Sequence, residues 1–247
     1  MGNEDQNIQE SSTVEEKKVI NKKLIIAVIS VVVVAALAVG GYFGYQAYKE
    51  YTYKQQFVVK LRTFYEEFSA RLNSYLAAKG CPKNLTCEKI VKEGFYDSFA
   101  KENLGAMKIC GVKKGGNCMP DRYKILRGGL WANMNEWDGF KFLSSNGASV
   151  IMKNNGTCRN YSVENKAPLN CVLGYIFVDV NGPVDPNIYG RDLFYFYLTK
   201  SGEIVPMGVK DDKVGYWKTS KGKCDPKDGN GEQCAARIIE QNWKMNY

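Results

Sequence analysis

The residues with the clearest capacity for chemistry fall in one stretch, 178-VDVNGPVDPNIYGRDLFYFYL-198. Within fourteen residues it places Asp179, Asn181, Asp185, Asn187 and Asp192, with Gly182 and Gly190 between them. Calcium takes about six to eight hard oxygens from carboxylates, amides and carbonyls on a curling loop. Five oxygen-bearing side chains at spacings of two, four, two and five residues could supply such a shell. The pattern departs from the EF-hand loop, which needs Gly at its sixth position and a bidentate Glu at its twelfth. Asx side chains also cap backbone turns between strands with no ion involved. At the level of sequence both readings stand: a calcium site, or a polar turn.

Other chemistry is narrowed by what is missing. The chain has no histidine, which removes Ser-His-Asp and Cys-His arrangements and every imidazole metal ligand. It has no GxSxG elbow, no P-loop and no GxGxxG following a strand. The paired acids Glu66-Glu67 and Asp211-Asp212 read as solvated surface positions. The expectation is a protein that is not an enzyme, with calcium the one cofactor in view. The eight cysteines are Cys81, Cys87, Cys110, Cys118, Cys158, Cys171, Cys224 and Cys234. Without CxxC or histidine they do not read as zinc ligands. An even number, close together in pairs, reads as disulfides. Eight cysteines allow 105 pairings, but the spacing suggests Cys81–Cys87, Cys110–Cys118, Cys158–Cys171 and Cys224–Cys234.

The elements that must carry these residues begin with 24-LIIAVISVVVVAALAVGGYFGY-45, a run of 22 uncharged residues. A helix rising about 1.5 Å per residue crosses the roughly 30 Å hydrocarbon layer over such a length. A cleaved secretory signal would have a shorter apolar region and a small-residue cleavage site. This run instead flows into Gln46-Ala47-Tyr48-Lys49, as a retained signal-anchor does. All the cysteines lie beyond it, which places the following domain in an oxidising compartment. Lys17, Lys18, Lys22 and Lys23 precede it and favour an inside N-terminus. The expected location is therefore the inner (cytoplasmic) membrane, with a cytoplasmic tail over residues 1–23 and an extracytoplasmic C-terminal domain. Gly40 and Gly44 have the GxxxG spacing of closely packed membrane helices, a pattern that is also common by chance. The tail has net charge −1, so the remainder carries +9. Its lysines are scattered rather than striped, so the lipid bilayer is expected as a partner and nucleic acid is not.

Beyond the span no Pro or Gly interrupts residues 46–79. Phe57, Leu61, Phe64, Phe68, Leu72 and Tyr75 recur at steps of three or four, one apolar stripe on a continuing helix. Gly80 and Pro82 stop it. A second short helix is expected over Cys87–Leu104, with Ile90, Val91, Phe95 and Phe99 on one side. Phe140–Lys153 reads as a hairpin around Asn146-Gly147, and 171–180 and 193–199 read as strands. Ser201-Gly202 turns the chain into a further extended piece, and the C-terminal CAARIIEQNWKMNY reads as a short helix and tail. The fold class is α+β: a long N-terminal helix, half membrane and half amphipathic, packed on a small antiparallel sheet with disulfide-pinned loops. The divisions are 1–23, 24–45, 46–79 and 80–247.

This plan, with the segment VDVNGPVDPNIYGRDLFYFYLTKSGEIVPMG, Cys224, Cys234-Ala-Ala and a closing WKMNY, resembles type IV pilins and type II secretion pseudopilins. The pieces IVKEGFYDSFAKE and YKIL–FLSSNGASVIM are similar too, so the resemblance covers roughly Leu24 to Tyr247. It implies a structural or assembly role in a secretion or surface-appendage system, with other pilin-like subunits or secretion components as partners. One feature departs from the family. Prepilins carry a Gly before the cleaved bond and a Glu early in the apolar run, whereas this chain reads KKVINKKLIIAV. The alternative function is a stand-alone anchored module binding a glycan or envelope protein through Trp131, Trp137 and neighbouring aromatics, although these tryptophans suit core or loop packing better than a sugar platform.

Overall fold

A computed structural model describes residues 4–92, 95–112, 115–219 and 223–247, with side chains at all of these except 4–21, 23 and 92. The chain divides into two compact units, Met1–Tyr53 and Lys54–Tyr247. Helix α1 runs Glu4–Ala78. It therefore starts well before Leu24, because residues 4–23 contain no Pro or Gly and are rich in Glu, Gln, Lys and other residues that accept helix.

In the first unit the large apolar side chains from Leu24 to Val39 are each more than half exposed. A water-soluble helix would bury one face; this one offers apolar surface all round, and it is long and apolar enough to cross a membrane. Ser30 donates its hydroxyl to the Ile26 carbonyl at 2.8 Å, so the one polar side chain inside the run satisfies its donor within the helix.

In the second unit the continuation of α1 buries Phe57, Leu61, Phe64, Phe68, Leu72 and Tyr75, each at most 5% exposed. The stripe faces one side of a six-stranded antiparallel sheet in the order β1-β4-β5-β6-β7-β8. The strands are β1 (Ala106–Gly111), β4 (Phe140–Ser144), β5 (Ser149–Arg159), β6 (Val172–Asp179), β7 (Leu193–Thr199) and β8 (Ile204–Pro206). Alternation along the strands sends Val150, Met152, Ile176, Val178, Phe194 and Phe196 toward the helix. It sends Ile151, Phe177 and Leu193 to the opposite face. There a two-stranded ribbon, β2 (Tyr123–Lys124) and β3 (Leu130–Ala132), covers them.

Helix α1 ends in a Schellman arrangement. The Cys81 N–H bonds the Leu76 carbonyl at 2.8 Å and the Gly80 N–H bonds the Ala77 carbonyl at 2.9 Å. Gly80, with φ +70°, supplies the left-handed residue that this cap requires.

Two expectations are corrected, the placement of Val91 and the form of the hairpin turn. The expected second helix is described as α2 (Glu88–Lys92) and α3 (Phe95–Asn103), and its positions 93–94 lie outside the described residues. Ile90, Phe95 and Phe99 are buried, but Val91 is 64% exposed, because it follows Ile90 directly on a short helix and turns to the other side. The β4–β5 hairpin pairs Ser144 with Ala148 around a three-residue loop, with Gly147 alone in the left-handed region. Asn146 acts through its side chain, whose Oδ1 accepts from the Ala148 N–H and the Ser144 hydroxyl. The strands β1, β2 and β3 have no counterpart in the sequence reading. The disulfides join Cys81–Cys87, Cys110–Cys118, Cys158–Cys171 and Cys224–Cys234. Helix α4 (Cys234–Glu240) follows the last of them.

Candidate cation-binding loop between two central strands

Strands β6 and β7 are neighbours, with Asp179 opposite Leu193 at the end of their ladder. The Val180 N–H bonds the Asp192 carbonyl at 2.9 Å, so the pairing carries the two aspartates to the same end of the sheet. Residues 180–191 make the connection, and the Asp185–Pro186 peptide within it is cis. Asp179 and Asp192 are both fully buried.

Each carboxylate is held by hydrogen bonds to its charged form. Asp179 accepts the Tyr123 phenol proton on Oδ2 and the Asn181 N–H on Oδ1 at 3.2 Å. Asp192 accepts the Asn187 N–H at 2.7 Å and the Ile188 N–H at 2.6 Å. Burial works against ionisation more strongly than these bonds favour it. It pushes Asp179 well above the ordinary carboxyl range, with the charge of Asp192 adding to the effect. Burial likewise raises Asp192 to about 7, against the opposing pull of the backbone N–H groups of Ile188 and Asn187. Tyr123 is raised in turn, first by its own burial and then by the charge of Asp179.

The asparagines complete the arrangement. Asn181 donates its amide to the carbonyls of Val184 at 2.5 Å and Asp185 at 3.2 Å. Asn187, in the left-handed region at φ +52°, donates its amide to Asp185 Oδ1 at 3.0 Å. Both leave their side-chain carbonyl oxygens buried with no hydrogen-bond partner. A buried acceptor without a partner costs about 1–3 kcal/mol. Two such oxygens lie in the same loop as the two buried carboxyl groups. The oxygen-only chemistry fits calcium and not a soft metal. Among the described residues no three His, Cys, Asp or Glu side chains group as a metal site, so an ion here would need the amide oxygens as well. Asp185 is exposed and spends one oxygen on Asn187. It buttresses the set from outside.

Sequence spacing found the loop but not its supports. Tyr123 lies 56 residues away from Asp179. Lys124 bonds the loop on both sides, its N–H to the Asn187 carbonyl at 2.9 Å and its carbonyl to the Tyr189 N–H at 2.8 Å. At the other end Tyr247 donates its hydroxyl to the Gly190 carbonyl at 2.5 Å. Gly190 sits so close to Gly231 that an added Cβ would lie 2.7 Å from the Gly231 Cα. The loop thus joins the covering ribbon, the C-terminal tail and the segment before α4.

The remaining candidate residues do not gather into a site. Asp212 is not a solvated surface acid. It is 3% exposed and accepts the N–H groups of Gly208 and Val214 at 2.8 and 3.0 Å and the Tyr197 hydroxyl at 3.3 Å. It binds one loop together from within. Glu66 and Glu67 do lie on the exposed side of α1, paired with Arg62 at 2.8 Å and Arg71 at 3.6 Å. Trp131 stacks on Tyr189 at 4.4 Å, and Trp137 meets Phe177 edge-on at 5.1 Å. Both rings pack over the outer face of the sheet. Gly40 and Gly44 lie on the exposed apolar half of α1, where an added methyl would meet nothing within 4 Å. No family model, no curated protein and no solved structure matches this chain.

Proposed function

We propose that this chain is a membrane-anchored, pilin-like protein of the bacterial cell envelope. It presents an extracytoplasmic α+β domain and serves a structural or assembly role in a secretion or surface-appendage system, without catalysing a reaction. The observation that carries the reading is the division of labour along one uninterrupted helix. Its apolar half is exposed all round, while its second half buries a single stripe against an antiparallel sheet. Four disulfides, all beyond the apolar half, support an oxidising compartment for the domain. Lys22 and its neighbouring lysines support a cytoplasmic N-terminus. The absence of a prepilin-type cleavage sequence favours a retained anchor.

In this reading the β6–β7 loop takes Ca2+ through Asp179, Asn181, Asn187 and Asp192. The ion supplies positive charge that offsets the carboxylate repulsion and gives the two unpaired amide oxygens a partner. Its role is to fix the loop on which the ribbon and tail are hung. Protease treatment of spheroplasts tests the topology. The expected result is digestion of the C-terminal domain with survival of a fragment containing the intact N-terminal tail. A domain protected until the inner membrane is lysed overturns the proposal.

A further inference from the structure

The apolar run gives way to an aromatic one. Tyr42, Phe43, Tyr45, Tyr48 and Tyr51 follow within ten residues, each at least 60% exposed, and Tyr53 closes the series. The first compact unit ends at Tyr53. At about 3.6 residues per turn, the first five rings spread around the whole circumference of the helix instead of lining one side. That distribution decides between two kinds of partner. A packed neighbouring helix selects one stripe, whereas the polar–apolar boundary of a bilayer surrounds a helix and selects tyrosines on every side.

The glycines bear on the same choice. Gly40, Gly44, Tyr48 and Tyr51 follow at steps of four, four and three, so they share one face. Any close approach made possible by Gly40 and Gly44 is opened again one turn later by two exposed tyrosine rings. The series holds two charged residues, Lys49 and Glu50, and Lys49 has a snorkelling geometry, with its Nζ 5.6 Å from the centre of the Tyr53 ring. The Thr52 hydroxyl bonds the Tyr48 carbonyl at 2.9 Å, so this polar side chain also meets its donor requirement inside the helix.

We infer that residues 42–51 form a collar seated in the headgroup zone of a phospholipid bilayer, in the leaflet on the side of the disulfide-bonded domain. The collar fixes how deeply the anchor sits. The rings at Tyr42, Phe43 and Tyr45 lie at the border of the acyl chains, and those at Tyr48 and Tyr51 among the headgroups. The partner surface is lipid and not a second copy of the helix.

The test uses the full chain in phospholipid vesicles with Tyr45→Trp or Leu37→Trp. The fluorescence added over the unsubstituted protein is measured against lipids brominated either near the headgroup or near the chain ends. Tyr45→Trp is expected to be quenched roughly twofold more by the shallow bromines than by the deep ones, as a ring at the interface would be. Leu37→Trp is expected to show the reverse order. A Tyr45→Trp signal insensitive to both lipids overturns the collar. So does a signal shielded from bromine at high protein density and uncovered when the protein is diluted in lipid, which would assign the face to a second copy. Val39→Trp provides a second deep reference if Leu37→Trp does not insert.

Discussion

Tyr123 in the covering ribbon donates its phenol proton to the buried carboxylate of Asp179 at the end of a central strand. The bond fastens the ribbon to the sheet, and it favours the charged form of a carboxyl group that burial opposes. Tyr123→Phe keeps the ring and removes the donor. The expected loss is about 1–3 kcal/mol in unfolding free energy, the range for leaving a buried polar group short of a partner. Denaturant titration measures it, and an unchanged unfolding free energy would contradict a stabilising role for the phenol donor.

The titration of the buried acids has a definite sign. Asp179, Asp192 and Asp212 are all raised in the folded protein, chiefly by burial. The folded state therefore holds protons that the unfolded chain, with aspartate near about 3.9, has released. Stability of the metal-free protein is fullest below that unfolded value. It falls as pH rises, with the contribution of Asp192 lost by about 7. Melting temperatures across this window in the presence of a chelator should decline steadily. A maximum near neutral pH would show that the carboxylates are compensated by charge within the protein.

Calcium should act where protons do not. At pH 8 the ion is expected to raise the melting temperature, and at pH 4 to leave it unchanged. Asn187→Gly separates the ligand role from the backbone role, because Gly accepts φ +52° and only the amide is lost. That variant should fold with near-native stability in chelator and lose the calcium response. Asp185→Asn, at the exposed buttress, should keep most of it.

The helix stripe predicts a different contrast. Phe68 is fully buried against Phe64 and Phe99, at ring-centre distances of 5.3 Å each. Phe68→Ala should cost about 3–5 kcal/mol by lost burial and cavity formation. Val59, 64% exposed on the same helix, should change stability by less than about 0.5 kcal/mol on replacement by alanine. Urea midpoints of the two variants check both values.

These contrasts also mark what could be read from the sequence. The stripe from Phe57 to Tyr75 was legible because helical periodicity is local, and β6 and β7 were legible because alternation and β-branched or aromatic content are local. The cysteine pairs are close neighbours along the chain. The edge strand β1 was not legible, since two register shifts break its pairing with β4 and its burial does not alternate. The ribbon strands β2 and β3 are two and three residues long, too short for a periodic signal. The loop was recognised by composition, but which of its acids are buried depends on Tyr123, Lys124, Gly231 and Tyr247, brought to it by the tertiary fold. Asp212 was misread for the same reason: its neighbours in sequence are polar, and its burial comes from the fold around Tyr197 and Gly208.

The proposed assembly role requires the second half of α1 to be available on its exposed side to other subunits. A photo-cross-linking residue at Val59, placed in the full chain and activated in living cells, measures this directly. The account predicts cross-linked species heavier than the monomer, formed with further copies or with envelope components. A monomer alone, at normal abundance and with the domain correctly exported, would contradict it.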